Sequence, residues 1–158
     1  MATRKYVEQL ERVRRFLVRF EALGTGVEHT QHSGNYEDDV YSFFQNCYHL
    51  KDWIKNDPYC ANWSDVEAMI NGSQYLQICA DLCNAQKHLS LTRSRSSQSP
   101  QFDGGTMRLN IMEGGGPTVV QIAVSYNVST TSLGRVDALD LARKCMAAWE
   151  SFVSANDP

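Results

Sequence analysis

The sequence predicts a mainly α fold: a helical bundle of four long helices plus a short helix, with a β-hairpin inserted before the last helix. Three observations predict it. Apolar residues recur at three- and four-residue steps over four long segments. The pattern switches to alternation over 106–112 and 118–128, the signature of half-buried strands. The 158 residues contain no internal repeat and no second core pattern, so one domain spanning 1–158 is expected, with a flexible loop at about 93–105.

The first helix is expected over 3–23, where Val7, Leu10, Val13, Leu17 and Phe20 share a face. Arg12, Arg15 and Arg19 line its other side. Glu8–Arg12 and Glu11–Arg15 have the i,i+4 spacing that stabilises an exposed helix by roughly 0.2–0.5 kcal/mol per pair. Gly24, Gly26, Ser33 and Gly34 mark a loop that holds His29 and His32, read as two exposed histidines. The second helix runs from about 36 to 55, capped by Asn35, with Val40, Phe43, Phe44, Cys47, Leu50 and Ile54 as its core face. Asp57-Pro58 ends it.

Residues 64–71 form the short helix, with Ser64 and Glu67 at capping-box spacing. Gly72 stops it and Ser73 starts the third long helix, 73–92. The segment RSRSSQSPQFDGG (93–105) is polar and rich in Ser, and reads as loop. Two strands follow, joined by the turn GlyGlyGlyPro. A hairpin alone is marginal, so it must pack on the helices or gain a third strand, for which 89–94 is the candidate. The last helix covers 135–154, with Leu139, Ala142, Cys145, Met146, Trp149, Phe152 and Val153 as its stripe.

Composition bounds the function. Apolar residues make 42% and charged residues 21%, ordinary for a globular chain, and a net charge of −3 gives no global attraction to nucleic acid. The charge is uneven: six Lys/Arg against Glu8 and Glu11 in residues 1–20, and seven acids against Lys51 and Lys55 in residues 35–67. Pairing between neighbouring helices is the expected use of that asymmetry. Arg12, Arg15, Arg19, Arg93 and Arg95 are the residues that would meet phosphate if nucleic acid were a partner. The five cysteines read as small buried hydrophobes; Cys79 and Cys83 are one helical turn apart and form no CxxC pair. The charged N-terminus reads as lacking a signal peptide, no apolar run is long enough to span a membrane, and a reducing cytoplasmic setting is expected.

The segments YSFFQNCYHLKDWI (41–54) and CADLCNAQKHLSLT (79–92), with VDALDLARKCMAAWESF (136–152), resemble small bacterial helical proteins with features like the HEPN superfamily. The resemblance covers about half of the chain. It implies a helical bundle that pairs into dimers and, in many HEPN proteins, RNA cleavage through an arginine followed four to six residues later by a histidine. No arginine precedes His29, His32, His49 or His88 at that spacing. His88 comes nearest, and Asp81 and Asn84 occupy the turns before it, where an acid opposes a developing negative charge.

The polar stripe of the third long helix is the candidate site. Asp81, Asn84 and His88 stand at i, i+3 and i+7, and His49 and Asp52 at i, i+3 on the second helix. Asp81, Asn84 and His88 are expected to form one hydrogen-bonded cluster with His49 or Asp52. Either that cluster ties helices or subunits together, or His49, Asp52, Asp81 and His88 converge on a divalent metal as a catalytic group. No cofactor signature is present: GlyGlyGly at 114–116 precedes a strand, not a helix. Two functions follow. One is a non-enzymatic HEPN-like interaction module, in a bacterial or phage conflict system, that binds a partner protein, a second copy of itself or nucleic acid. The other is a divergent ribonuclease or metal-dependent hydrolase using Asp81, Asn84 and His88. A homodimer is expected because Tyr41, Tyr48 and Trp53 lie off the apolar stripe of their helix.

Overall fold

The computed structural model describes residues 3–30, 32–89, 91 and 93–157. In order they form α1 (Lys5–Thr25), β1 (Val27–Glu28), α2 (Ser33–Asn56), a 3₁₀ turn (Pro58–Cys60), α3 (Val66–Asn71), α4 (Gln74–His88), β2 (Gln101–Met112), β3 (Val119–Ser129), β4 (Arg135–Asp137) and α5 (Ala138–Asn156). The chain is mainly helical, as its periodicity predicts. It is not a pure bundle: a four-stranded antiparallel sheet forms its second layer.

The helices pack where their stripes predict. Val13, Phe20, Phe43, Phe44, Leu50, Leu141 and Trp149 are all essentially inaccessible and belong to one core. α1 lies against α2 and α5, and α4 against α2, α3 and α5. The start of α1 has no side-chain cap of its own. Buried Asp57 supplies one from the 3₁₀ turn, accepting from Tyr6 N at 2.8 Å and from Tyr59 N at 3.0 Å. Asp157 closes the same end, taking the hydroxyls of Tyr6 and Tyr59 and lying 3.1 Å from Arg4.

The element ends differ from expectation for local reasons. α2 begins at Ser33 rather than 36, with His32 as N-cap: its Nδ1 accepts the Gly34 N–H at 3.2 Å. α3 is capped by Asp65, not Ser64; Ser64 instead donates to Asn156 Oδ1. α4 starts at Ser73 as expected but ends at His88 rather than 92, because Leu89 adopts φ 64° and is 96% exposed. Beyond Cys83 the sequence offers α4 no further buried position. The expectation that 89–94 supplies a strand falls partly on Ser90 and Thr92, which lie outside the described residues; Leu91 and Arg93 are not in strands. The extra strands are β1 and β4, drawn from the glycine loop and from residues expected to open the last helix. α5 therefore starts later, at Ala138, with Asp137 accepting the Asp140 N–H at 2.8 Å.

β3 is the spine of the sheet. It pairs with β2 along one edge and with β1 and β4 along the other. Ile122, Val124 and Val128 of β3 are buried against α1 and α5. β2 is the outer strand, and it starts well before residue 106 because a bulge absorbs the glycines that read as loop. Phe102 is opposite Val128 and Gly105 opposite Tyr126, so Asp103 and Gly104 share one position of β3. Gly104 sits at φ +64°, and a Cβ on Gly105 would lie 2.4 Å from the Ser125 carbonyl oxygen. The left-handed backbone favours glycine at 104, and the close approach of the Ser125 carbonyl requires it at 105.

The charge asymmetry resolves largely into ion pairs within the chain. Arg14 donates to both oxygens of Glu150 at 2.7 Å, joining α1 to α5, and also pairs with Glu11 in place of Arg15. Glu67 receives Arg95 at 2.8 Å, Lys51 at 3.3 Å and Lys55 at 3.4 Å. The Arg95 hydrogen bond, opposed by partial burial and helped by Lys51, holds the Glu67 carboxyl at about 2, against 4.5 ordinarily. Its stabilising contribution is therefore complete above about pH 4.5 and is lost as pH falls towards 2. Glu67→Gln is expected to flatten the acid limb of a melting-temperature profile across this window. An unchanged limb would show the cluster to be energetically idle.

Candidate functional site

α4 is buried on more than one face. Leu76, Ile78, Cys79, Ala80, Asp81, Leu82 and Cys83 are all inaccessible or nearly so. A carboxylate in that setting must be hydrogen-bonded, and Asp81, 0% exposed, is. Its partners are not those expected from the stripe. Oδ1 accepts the Arg95 N–H at 2.7 Å; Oδ2 accepts the Ser96 N–H at 2.9 Å and the hydroxyls of Ser94 at 2.7 Å and Ser96 at 2.6 Å. Ser96 Oγ in turn accepts Gln98 N, and Gln98 exchanges hydrogen bonds with Ser132 in the β3–β4 turn. The serine-rich segment is thus latched to the core and to the sheet.

The remaining stripe residues stay apart from Asp81. His88 is exposed at the C-terminal end of α4, where a histidine suits the helix dipole, and Asn84 is half-buried. His49 is exposed, with Nε2 3.9 Å from Cys83 Sγ, and Asp52 is exposed. Among the described residues, His49, Asp52, Asp81 and His88 form no group of ligand atoms close enough to hold a metal. The arginines are mostly engaged: Arg12 with Glu8 and over the Trp53 ring, Arg19 near Asp39, and Arg95 with Glu67 and Asn71. Arg15 and Arg93 are exposed, as are His29 and His32.

Three cysteines do converge. The sulfurs of Cys47 (α2), Cys79 (α4) and Cys145 (α5) lie within 4.8 Å of one another, fully buried. Two are satisfied as donors: Cys79 Sγ to the Phe44 carbonyl and Cys145 Sγ to the Tyr75 carbonyl, each at 3.3 Å. Burial pushes both of these thiols well above their ordinary range. Burial opposes ionisation at Cys47 too, but Cys145, Cys79 and Trp149 support its sulfur and bring it below the usual value. All five cysteines are free and buried, as their apolar positions predict.

A cavity lies elsewhere, at the β2 bulge. It has a volume of about 420 Å3 and lies between the start of α2 and the β2–β3 pair. Tyr41, Phe102 and Tyr126 line it with Glu37 and the glycines of the bulge. The Tyr41 and Phe102 rings meet edge to face, centroids 4.7 Å apart, and Tyr41 donates to Glu37 Oε1 at 3.1 Å. Burial and then Glu37 push the Tyr41 phenol up to about 12, so it is neutral at physiological pH. Past the cavity the same face of β2 is bare: Met107, Leu109 and Ile111 are 48%, 60% and 62% exposed.

Sequence reasoning missed this region. Its one available signal was Phe102, a lone aromatic in a Ser- and Gly-rich segment followed by Asp-Gly-Gly. The aromatics taken as a bare surface are covered by the chain itself: Tyr41 by Phe102, Tyr48 by core packing and Lys51, and Trp53 by Arg12. No known protein family, curated protein or solved structure matches this chain. Among the described residues, no helix is long and apolar enough to cross a membrane.

Proposed function

We propose that this chain is a non-enzymatic interaction module that works as a homodimer joined edge to edge along β2. One observation carries the proposal: β2 is an outer strand whose inner face runs out beyond the helices with Met107, Leu109 and Ile111 uncovered. Bare edges of this kind are templates for strand pairing, and proteins that stay monomeric protect them with charge or proline. Between 106 and 112 the only charge is Arg108, and there is no proline.

The strand is also self-complementary. With Leu109 on a two-fold axis, Met107 faces Ile111 and Arg108 faces Asn110. Apolar residues then share one face, polar residues the other, and no like charges oppose. The HEPN-like segments, whose resemblance implies pairing and a bacterial or phage conflict setting, accord with a binding role. So does the commitment of Asp81 to its loop, which leaves the stripe without its acid.

Light scattering at micromolar concentration is expected to return twice the 17.8 kDa chain mass. Leu109→Lys is expected to give the monomer with its helical circular dichroism intact, since the side chain is solvent-facing in one chain. A wild-type monomer at every accessible concentration would overturn the proposal.

A further inference from the structure

We propose that the cavity at the β2 bulge is a cation site, in which Tyr41, Phe102 and Tyr126 enclose an alkylammonium head beside the Glu37 carboxylate. Three elements bring the rings together: α2 carries Tyr41, β2 carries Phe102 before the bulge, and β3 carries Tyr126. The bulge makes the space. β2 gains a residue on β3 there, and Gly104, with open space where a Cβ would be, leaves the backbone bare to a ligand.

The lining selects charge. Aromatic faces are negative, and a cation within about 6 Å of a ring centroid is attracted to them. Glu37 adds a full negative charge, while no lysine or arginine lines the cavity. Its histidine, His32, is engaged through Nδ1, which accepts the Gly34 N–H at the start of α2. Tyr126 is also pushed up by burial and then Glu37, which leaves both phenols neutral and the carboxylate as the charge of the site. An anion meets Glu37 and the ring faces and is repelled. A purely apolar ligand strips water from Glu37 and the tyrosine hydroxyls with nothing in return. A methylated ammonium satisfies both demands, since its methyl groups pack on the rings and its charge is weakly hydrated. The same head occurs on free choline-type molecules and on methylated lysine side chains.

The test is titration of the full chain with choline and with its uncharged isostere 3,3-dimethylbutan-1-ol, followed by calorimetry and by the ring signals of Tyr41 and Tyr126. Choline is expected to shift both tyrosines and to bind at least about tenfold more tightly than the isostere, in the range of a desolvated cation–π site. Phe102→Leu should bring choline down to the level of the isostere, and Glu37→Gln should weaken it several-fold. Met107→Arg places a fixed cation at the rim, on the face of β2 that looks towards Tyr126 and at a position that is itself exposed, and should abolish choline binding even if the aromatic variant folds poorly. Nα-acetyl-trimethyllysine amide separates the sources: tighter binding than choline assigns the site to a modified side chain, weaker binding to a free small molecule. Equal binding of choline and its isostere, no shift of either tyrosine, or undiminished binding by Met107→Arg would each overturn the proposal. The cavity lies within one chain, so Leu109→Lys should bind choline with unchanged affinity whatever the outcome for the dimer.

Discussion

Replacing Asp81 with alanine is expected to lower the stability of the protein by about 3 kcal/mol, the upper range for removing a buried charged acceptor. The change orphans the amides of Arg95 and Ser96 and the hydroxyls of Ser94 and Ser96 at once. Asp81→Asn is not a conservative alternative. Its amide group turns two donor hydrogens towards a site that supplies only donors to Asp81, so a substantial loss is expected there as well. Urea unfolding gives the magnitude. Hydrogen exchange gives the cause: the Arg95 and Ser96 amides should lose protection before the α4 backbone does. An unchanged midpoint with both amides still protected would show that the latch contributes nothing.

Trp149→Ala is expected to cost about 3–5 kcal/mol, the range for truncating a fully buried large aromatic. Trp149 is wholly inaccessible, packs edge to face on Phe152 at 6.2 Å, and stands one turn after Cys145 on α5. Trp149→Phe is expected to cost well under half as much, because the buried indole N–H meets only the Cys47 sulfur, a weak acceptor, and no conventional hydrogen bond is lost with it. The two midpoints, compared in the same denaturant series, decide this. A phenylalanine as costly as alanine would mean that the N–H serves the Cys47 sulfur as a true acceptor.

Legibility in the sequence followed the range of the physics involved. Helix existence was readable because one apolar stripe must be buried whatever it meets, and Val13, Phe43, Leu50 and Trp149 are all where their spacing puts them. The hairpin was readable from alternation over Met107–Ile111 and Val120–Val128. Its first residues were not, because Asp103, Gly104 and Gly105 carry the local marks of a turn while their actual role, a bulge between the pairings to Val128 and Tyr126, depends on a strand about twenty residues away. The third strand had the same difficulty: Val27 and Glu28 are two residues that become a strand only because Ile122 and Gln121 pair with them.

The candidate site divides along the same line. Helical spacing determined that Asp81, Asn84 and His88 share one side of α4, and burial cost determined that an acid there needs partners. Which partners was a tertiary matter. Periodicity fixes directions around one helix axis and says nothing of what lies opposite, and the serine-rich segment that supplies the donors has no periodicity to read. The cavity at the bulge depends still more on tertiary structure: Tyr41, Phe102 and Tyr126 are scattered over 86 positions of sequence, and only the docking of α2 against the kinked end of β2 makes them one site. The sequence by itself determined the helices, the hairpin and the burial of the cysteines, because these rest on local pattern. The partners of Asp81, the bare face of β2 and the aromatic cavity were decided by the tertiary structure, because the first depends on where the serine-rich segment folds back on α4 and the other two on how far the helical layer reaches across the sheet.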